Sequence, residues 1–264
     1  MRIDYANESC FISTGSKAFD PNANTLLFLH GSGQSHLTFL QQSRFFANRG
    51  WQSLNPDMPG HGYSTGTPLS SIEEMADWYI GLLDTLGVDK VSLIGHSQGC
   101  LTALELAHRY PNRISKICFL AGALAIPVND ALLDLATTNQ RAAYEAMVNW
   151  GHGAASHLYD HSWPGLTHID LGNQIMTQNE DMALSADLTS CNNYKNGPDA
   201  AASISCASLV MIAGKDKMTP AKAGRALADS LQNCETHILA DSGHFLPSEK
   251  PYEVNRALRD FLTQ

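Results

Sequence analysis

The stretch Val91-Ser92-Leu93-Ile94-Gly95-His96-Ser97-Gln98-Gly99 decides the fold of this chain. An apolar run of strand length leads into a serine bracketed by two glycines, and a helix-like segment follows from Cys100 to Tyr110. This order is typical of a strand–turn–helix unit whose sharp turn carries a serine nucleophile. Side chains larger than glycine at 95 or 99 would collide with the adjoining strand or helix. We expect the turn to lift the Ser97 hydroxyl to the carboxyl end of the strand, with the Gln98 N–H directed at a developing negative oxygen.

Strand and helix patterns alternate on both sides of this unit. Ser71-Ile72-Glu73-Glu74 is a capping box that begins an amphipathic helix ending at Gly87. The alternation predicts an α/β fold: a mostly parallel twisted sheet with helices on both faces, in which ligands bind at the carboxyl ends of strands. Continuous apolar runs, as expected for strands covered on both faces, lie at 25–29, 114–121 and 206–213, with shorter strand candidates at 51–54 and 236–240.

The segment 127–199 has a different character, because it contains helical patterns over 129–150 and 171–188 and no strand-like run. We interpret it as a helical lid inserted into a core formed by 1–126 and 200–264. Its aromatic and methionine side chains are candidates for a substrate pocket, although packing of the lid on the core is the alternative for each of them. The candidates, with one residue from the core, are Trp150, Met147, Tyr159, Trp163, Met176, Met182 and Phe245.

The composition favours one ordered domain. The chain has 264 residues, enough for a sizeable core, and its net charge of −9 argues against nucleic acid or anionic membranes as partners. Because no apolar run approaches the ~20 residues of a membrane span and the first residues include acids, we expect a cytoplasmic protein without stable membrane association. The six cysteines form no CxxC pair, which indicates buried free thiols. The histidines at 152, 157 and 161 show no firm ligand spacing, so no metal or other cofactor is expected.

Three loops that follow predicted strands supply Ser97, Asp216 and His244, in that chain order. A serine hydroxyl attacks only if an imidazole takes its proton, and a carboxylate must hold that imidazole. We predict His244 as the base and Asp216 as the orienting acid. Asp241 is expected to shape the His244 loop, and no carboxylate stands between Phe119 and Leu124, where some similar enzymes carry the acid. His30 and His96 are expected to brace loops.

In these sequence motifs the chain resembles the α/β-hydrolase superfamily, and the resemblance covers nearly its whole length. The matching motifs are His30-Gly31-Ser32-Gly33, Asp57-Met58-Pro59-Gly60-His61-Gly62, Gly95–Gly99, Gly214-Lys215-Asp216 and Ser242-Gly243-His244. The resemblance implies an oxyanion hole made by the backbone N–H groups of Ser32 and Gln98, with Gly33 the less favoured donor. One such donor is typically worth ~10²–10³ in rate.

The resemblance implies hydrolysis of a small or medium, uncharged carboxylic ester through an acyl-enzyme on Ser97, by a monomer or homodimer. Hydrolysis of a carbon–carbon bond in a dienoic acid is the main alternative. Such enzymes must bind a substrate carboxylate, and Arg141 and Lys195 are the only cations between Gly122 and Asp199, which disfavours anionic substrates. A non-catalytic small-ligand receptor and a hydroxynitrile-lyase-like enzyme of the same fold are further alternatives.

Overall fold

The computed structural model describes residues 1–158, 161–162 and 164–264. Its centre is an eight-stranded sheet with the strand order β1-β2-β4-β3-β5-β6-β7-β8. Strands β3 to β8 pair in parallel, whereas β1 and β2 form an antiparallel edge. This architecture confirms the predicted fold class. The strands are β1 (Arg2–Tyr5), β2 (Glu8–Ser13), β3 (Thr25–Leu29), β4 (Gln52–Pro56), β5 (Val91–His96), β6 (Ile114–Leu120), β7 (Ala207–Ala213) and β8 (Cys234–Leu239).

Helices cover both faces of the sheet. Alternate side chains of β3 enter two separate hydrophobic clusters, because successive residues of a strand point to opposite faces. Leu27 and Leu29 pack in one cluster, and Leu26 and Phe28 pack in the other. The helices of the core are α1 (Leu40–Ala47), α2 (Ile72–Leu86), α3 (Gln98–Arg109), α10 (Ala221–Ser230), α11 (Leu246–Glu249) and α12 (Pro251–Leu262).

The chain between β6 and β7 contains six helices and, among its described residues, no strand. The predicted helix over 129–150 is broken at Asn139, whose side chain accepts a hydrogen bond from the N–H of Ala142 at 3.2 Å and caps a second helix. The predicted helix over 171–188 is broken before Met182, which adopts a left-handed φ of 69°. These helices are α4 (Asp130–Thr138), α5 (Gln140–Gly151), α6 (Ala154–Leu158), α7 (His168–Met176), α8 (Ala183–Asn193) and α9 (Gly197–Ser203).

The expected division into core and lid stays a prediction, and α9 crosses its boundary at residue 199. This helix packs against α3 and α10 of the core. Among the described residues, no helix has the length and apolar character that crossing a bilayer demands. The same residues contain no group of three or more His, Cys, Asp or Glu side chains arranged to hold a metal ion.

Candidate active site

The turn between β5 and α3 holds Ser97 in an unusual backbone conformation, with φ of 55° and ψ of −118°. A Cβ atom at Gly99 would lie 2.0 Å from the carbonyl oxygen of Leu29, and one at Gly95 would lie 2.4 Å from the carbonyl oxygen of Gly99. Both contacts are with backbone, which cannot move aside as a flexible side chain can. The two glycines are therefore required by the close approach of α3 to the ends of β3 and β5, as the sequence predicts.

His244 and Asp216 are in direct contact at the carboxyl edge of the sheet. Asp216 Oδ2 lies 2.8 Å from His244 Nδ1 and accepts a hydrogen bond from Thr219 Oγ1 at 2.7 Å. Its Oδ1 accepts from the N–H of Met218 and of Thr219. Burial alone would raise the pKa of Asp216, but attraction to His244 and these hydrogen bonds hold the pKa below its ordinary value. Asp241, the rival carboxylate, is exposed.

His96 connects the serine turn to the histidine loop. Its Nε2 lies 2.8 Å from the carbonyl oxygen of His244, and the two rings have centroids 5.0 Å apart. The hydrogen bonds of the described residues include none between Ser97 Oγ and His244 Nε2. In free enzymes this bond is often longer than the ordinary limit and tightens when substrate binds. The structure thus joins Asp216 to His244 and brings the His244 backbone to the residue before Ser97.

Glu249 organises the loop that carries His244, and no sequence motif indicated it. Its carboxylate is almost fully buried. It accepts hydrogen bonds from the backbone N–H groups on both sides of the histidine, those of Gly243 at 3.1 Å and Phe245 at 3.2 Å. It also accepts from Gly153 N–H and Ser156 Oγ. The histidine loop is therefore fixed to the segment between β6 and β7 by one side chain.

Two backbone N–H groups near Ser97 are unoccupied. Among the hydrogen bonds of the described residues, none takes the N–H of Ser32 or of Gln98. The Gly33 N–H, by contrast, donates to Asp187 Oδ2 at 2.7 Å and is not available to a ligand. This arrangement favours the predicted choice of Ser32 over Gly33 as the partner of Gln98. Asp187, on α8, was not indicated by any sequence motif.

The cavity that contains Ser97 has a volume of about 80 Å³. Trp150 and Met147 line it and also line an adjoining apolar groove of about 260 Å³ between α4 and α5. None of the described residues that line the cavity is charged. They are Ser32, Ser97, Ile126, Pro127, Val128, Asn129, Leu132, Met147, Trp150, Leu188, Cys191 and Met218.

The other predicted pocket residues that the structure describes do not line this cavity. Met176 and Phe245 line a separate cavity of about 20 Å³, and the Phe245 ring stacks on that of His152 with centroids 4.4 Å apart. Met182 is 47% exposed. Tyr159 and Trp163 lie outside the described residues.

The remaining histidines and cysteines near the site are unsuited to acid–base or nucleophilic work. Burial lowers the pKa of His30 to about 4 and that of His96 to about 3, so both rings are neutral at pH 7. Burial raises the pKa of the Cys191 thiol to about 12, and that of Cys100 rises for the same reason. The thiols therefore stay protonated, and none competes with Ser97 as a nucleophile.

Comparison with known proteins shows the family. The alpha/beta hydrolase family model matches residues 26–257. The chain is 28% identical to a 2-hydroxy-6-oxononadienedioate/2-hydroxy-6-oxononatrienedioate hydrolase of Paraburkholderia phymatum, over 91% of this chain and 87% of that protein. It is 22% identical to an (E)-2-((N-methylformamido)methylene)succinate hydrolase of Acinetobacter baylyi, over 90% and 89% of the two chains.

Solved structures share the fold. The enol-lactonase from Burkholderia xenovorans LB400 superposes with a TM-score of 0.89 at 20% identity, over the full length of both chains. A thermophilic esterase from Thermogutta terrifontis gives a TM-score of 0.86 at 19% identity, over 100% of this chain and 97% of that one. With the family match over most of its length and the serine turn of β5 and α3 in place, the chain belongs to the alpha/beta hydrolase family.

Proposed function

We propose that this hydrolase cleaves a carboxylic ester with uncharged acyl and alcohol parts through an acyl-enzyme on Ser97. His244 Nε2 takes the proton of the Ser97 hydroxyl as its oxygen attacks the ester carbonyl. Asp216 holds the opposite ring nitrogen, Nδ1, and stabilises the imidazolium that forms. The N–H groups of Ser32 and Gln98 bind the negative oxygen of the tetrahedral intermediate.

The reaction is completed by three proton transfers through His244. The C–O bond to the alcohol breaks, and the imidazolium gives its proton to the departing alkoxide, which leaves the acyl group on Ser97. Water then loses a proton to the neutral His244 and attacks the acyl carbon. When this second intermediate collapses, the proton returns to Ser97 Oγ, the free acid departs and the enzyme is regenerated.

The uncharged cavity at Ser97 is the observation that favours a neutral ester. Its polar groups are the hydroxyls of Ser32 and Ser97, the Asn129 amide and the Cys191 thiol, while the rest of the lining is apolar. Moving a carboxylate from water into such a site is unfavourable unless a cation or several donors face it. The relative from Paraburkholderia phymatum is named for a dioate, a substrate with two carboxylates.

Carbon–carbon bond hydrolysis is the second candidate, and the identity to hydrolases named for dienedioates favours it. The two reactions make opposite demands on the cavity. A dienedioate requires positive or donor groups for each carboxylate, whereas a neutral ester requires an apolar surface and the two N–H donors.

The test is a substrate panel. p-Nitrophenyl acetate, butyrate and octanoate are compared with a 2-hydroxy-6-oxo-dienedioate by kcat/KM at pH 7. We expect the best ester to exceed the dienedioate by at least about 100-fold, since an uncompensated charge in an apolar site costs several kcal/mol and each 1.4 kcal/mol is tenfold. Faster cleavage of the dienedioate would refute the proposal.

A pair of serine variants checks the nucleophile. Ser97→Ala is expected to reduce ester cleavage by roughly 10⁶-fold, to background. The matched control is Ser208→Ala, a buried serine on β7 whose hydroxyl donates to the Cys206 carbonyl and which lies outside the cavity. Cleavage that survives in Ser97→Ala would reject the assignment. Ligand binding without any turnover would support a receptor.

A further inference from the structure

Asp187 is a fully buried carboxylate that joins α8 to two loops near Ser97 and to the first residue of α3. Its Oδ2 accepts the hydrogen bond of Gly33 N–H at 2.7 Å and lies 2.9 Å from His61 Nε2. Gln98 Nε2 donates to both Asp187 Oδ1 and the Asp187 carbonyl oxygen, each at 3.2 Å. One side chain therefore contacts the residue after Ser32, the side chain of Gln98 and the loop that contains His61.

His61 provides the charge that balances Asp187. Both of its ring nitrogens face oxygen acceptors, since Nδ1 lies 3.0 Å from the Pro59 carbonyl and Nε2 contacts the carboxylate. A neutral imidazole has one N–H and would direct a lone pair at one of these oxygens, so with an ionised Asp187 the geometry favours the imidazolium. Burial alone would lower the pKa of His61, but the Asp187 charge overcomes this and raises the pKa.

The titratable groups around Asp187 and His61 agree with one positive charge on this pair, carried by His61. His30 lies with its ring centroid 5.1 Å from that of His61, and it accepts the N–H of Met58 on Nε2, so it is the neutral tautomer. Asp57 contacts His36 and the N–H of Tyr63. The other titratable groups whose electrostatics involve Asp187 are Tyr79, Tyr144 and Cys191.

We propose that Asp187 is a positioning residue that sets the two N–H donors of the oxyanion hole, an assignment that rests on the proposed chemistry at Ser97. By binding Gly33 N–H it orients the backbone directly after Ser32. By binding the Gln98 side chain it fixes the first residue of α3. The His61 imidazolium compensates the carboxylate, because an unbalanced negative charge this close would oppose the negative charge that forms on the substrate oxygen.

The experiment compares Asp187→Ala and Asp187→Asn with wild type on p-nitrophenyl butyrate. Asp187→Ala is expected to lower kcat by ~10–100-fold and to change KM by less than about threefold, since misplaced donors weaken transition-state binding more than substrate binding. Asp187→Asn retains the size of the side chain. Gln98 Oε1 is buried and has no hydrogen-bond partner among the described residues. It can turn to accept from the new amide, so a smaller loss of kcat is expected.

Glu105→Gln is the matched control, because Glu105 is another buried carboxylate that accepts from the neutral groups of Tyr194 and Asn196 and lies outside the cavity. Its kcat should stay within twofold of wild type. A kcat for Asp187→Ala within about threefold of wild type, or a KM that rises as much as kcat falls, would overturn the proposal.

Amide hydrogen exchange separates this proposal from the proposed function. Exchange in the peptide 30–36 should accelerate at least about tenfold in Asp187→Ala and remain unchanged in Glu105→Gln, because the Gly33 N–H loses its acceptor. If wild type hydrolyses no ester, the ester proposal fails, while unchanged exchange would refute the positioning role whatever the substrate is. If Asp187→Ala does not fold, the same two measurements on Asp187→Leu, which fills the site but offers Gly33 N–H no acceptor, decide the question.

Discussion

Acidification is expected to destabilise this protein mainly through three buried neutral histidines. Burial lowers the pKa of His30 to about 4, of His96 to about 3 and of His152 to about 4. In the unfolded chain these groups titrate near about 6.5. Because the folded pKa values are the lower ones, the unfolded state binds protons first. Stability is therefore lost as the pH falls below about 6.5, and the loss ends near pH 3–4, where the folded protein takes up the same protons.

The size of the effect follows from the linkage relation. At pH 5 each histidine costs about 2 kcal/mol of unfolding free energy, so the three together cost about 6 kcal/mol, compared with less than about 1 kcal/mol at pH 7. A typical domain has only about 5–15 kcal/mol in total. The contribution of His61 to the pH dependence of stability has the opposite sign. Its pKa is raised, so its contribution is present below pH 6.5 and is lost at higher pH.

The assay is urea unfolding at pH 7, 6 and 5. Near pH 5 the unfolding free energy should change by about 4 kcal/mol per pH unit, which corresponds to three protons at 1.36 kcal/mol each. His152→Phe should remove one of these protons and lower the slope by about 1.4 kcal/mol per pH unit. Replacement of the exposed His108 by Asn is the control and should leave the slope unchanged, because His108 takes no part in the pKa shifts of the three buried histidines. A wild-type slope that corresponds to fewer than one proton would refute the reasoning.

Three further outcomes are expected from substitutions at the site. Gly99→Ala should lower kcat/KM by at least about 100-fold, because its Cβ would stand 2.0 Å from the Leu29 carbonyl oxygen. Gly224→Ala, whose Cβ would meet the Ile212 side chain at 3.0 Å and lies away from Ser97, should retain activity and differ only in its melting temperature. Glu249→Gln should lower the free energy of unfolding by about 1–3 kcal/mol, because buried N–H donors of the histidine loop lose an acceptor. Urea unfolding measures this change, and an unchanged midpoint would contradict it. Leu132→Arg should raise kcat/KM for a monoanionic ester relative to a neutral one by about tenfold in steady-state assays, and an unchanged ratio would show that Leu132 does not contact the substrate.

The sequence predicts the core of the fold closely, because its elements carry local signals. The strand over 25–29 and the helix between Ser71 and Gly87 have the bounds that the structure shows, since a continuous apolar run defines one and a capping box with a C-terminal glycine defines the other. The break at Asn139 could not be predicted, because it depends on a side chain that caps a new helix within a continuous apolar pattern. The hairpin of β1 and β2 was not predicted either, since short half-exposed edge strands have weak patterns.

The candidate site likewise contains residues that the sequence predicts and residues that it does not. Ser97, Asp216 and His244 stand in loop motifs that are readable along the chain, and the roles assigned to them remain predictions. Asp187 and Glu249 have no such motif, because each binds a backbone N–H group at a distant position, Gly33 for Asp187 and Gly153 for Glu249. Only the folded chain shows that these carboxylates are buried beside the reactive loops. Catalytic residues are therefore easier to predict from a sequence than the residues that position them.

The hydrogen bonds of Asp187 and Glu249 have a consequence for protein engineering. Exchanging the entire stretch 127–199 for that of another hydrolase is a natural route to new specificity, and here it would also remove Asp187 and the Gly153 and Ser156 donors to Glu249. Chimaeras that change only the surfaces of α4 and α5 leave those anchor points intact. Libraries restricted to these two helices should therefore yield more active clones than wholesale replacement.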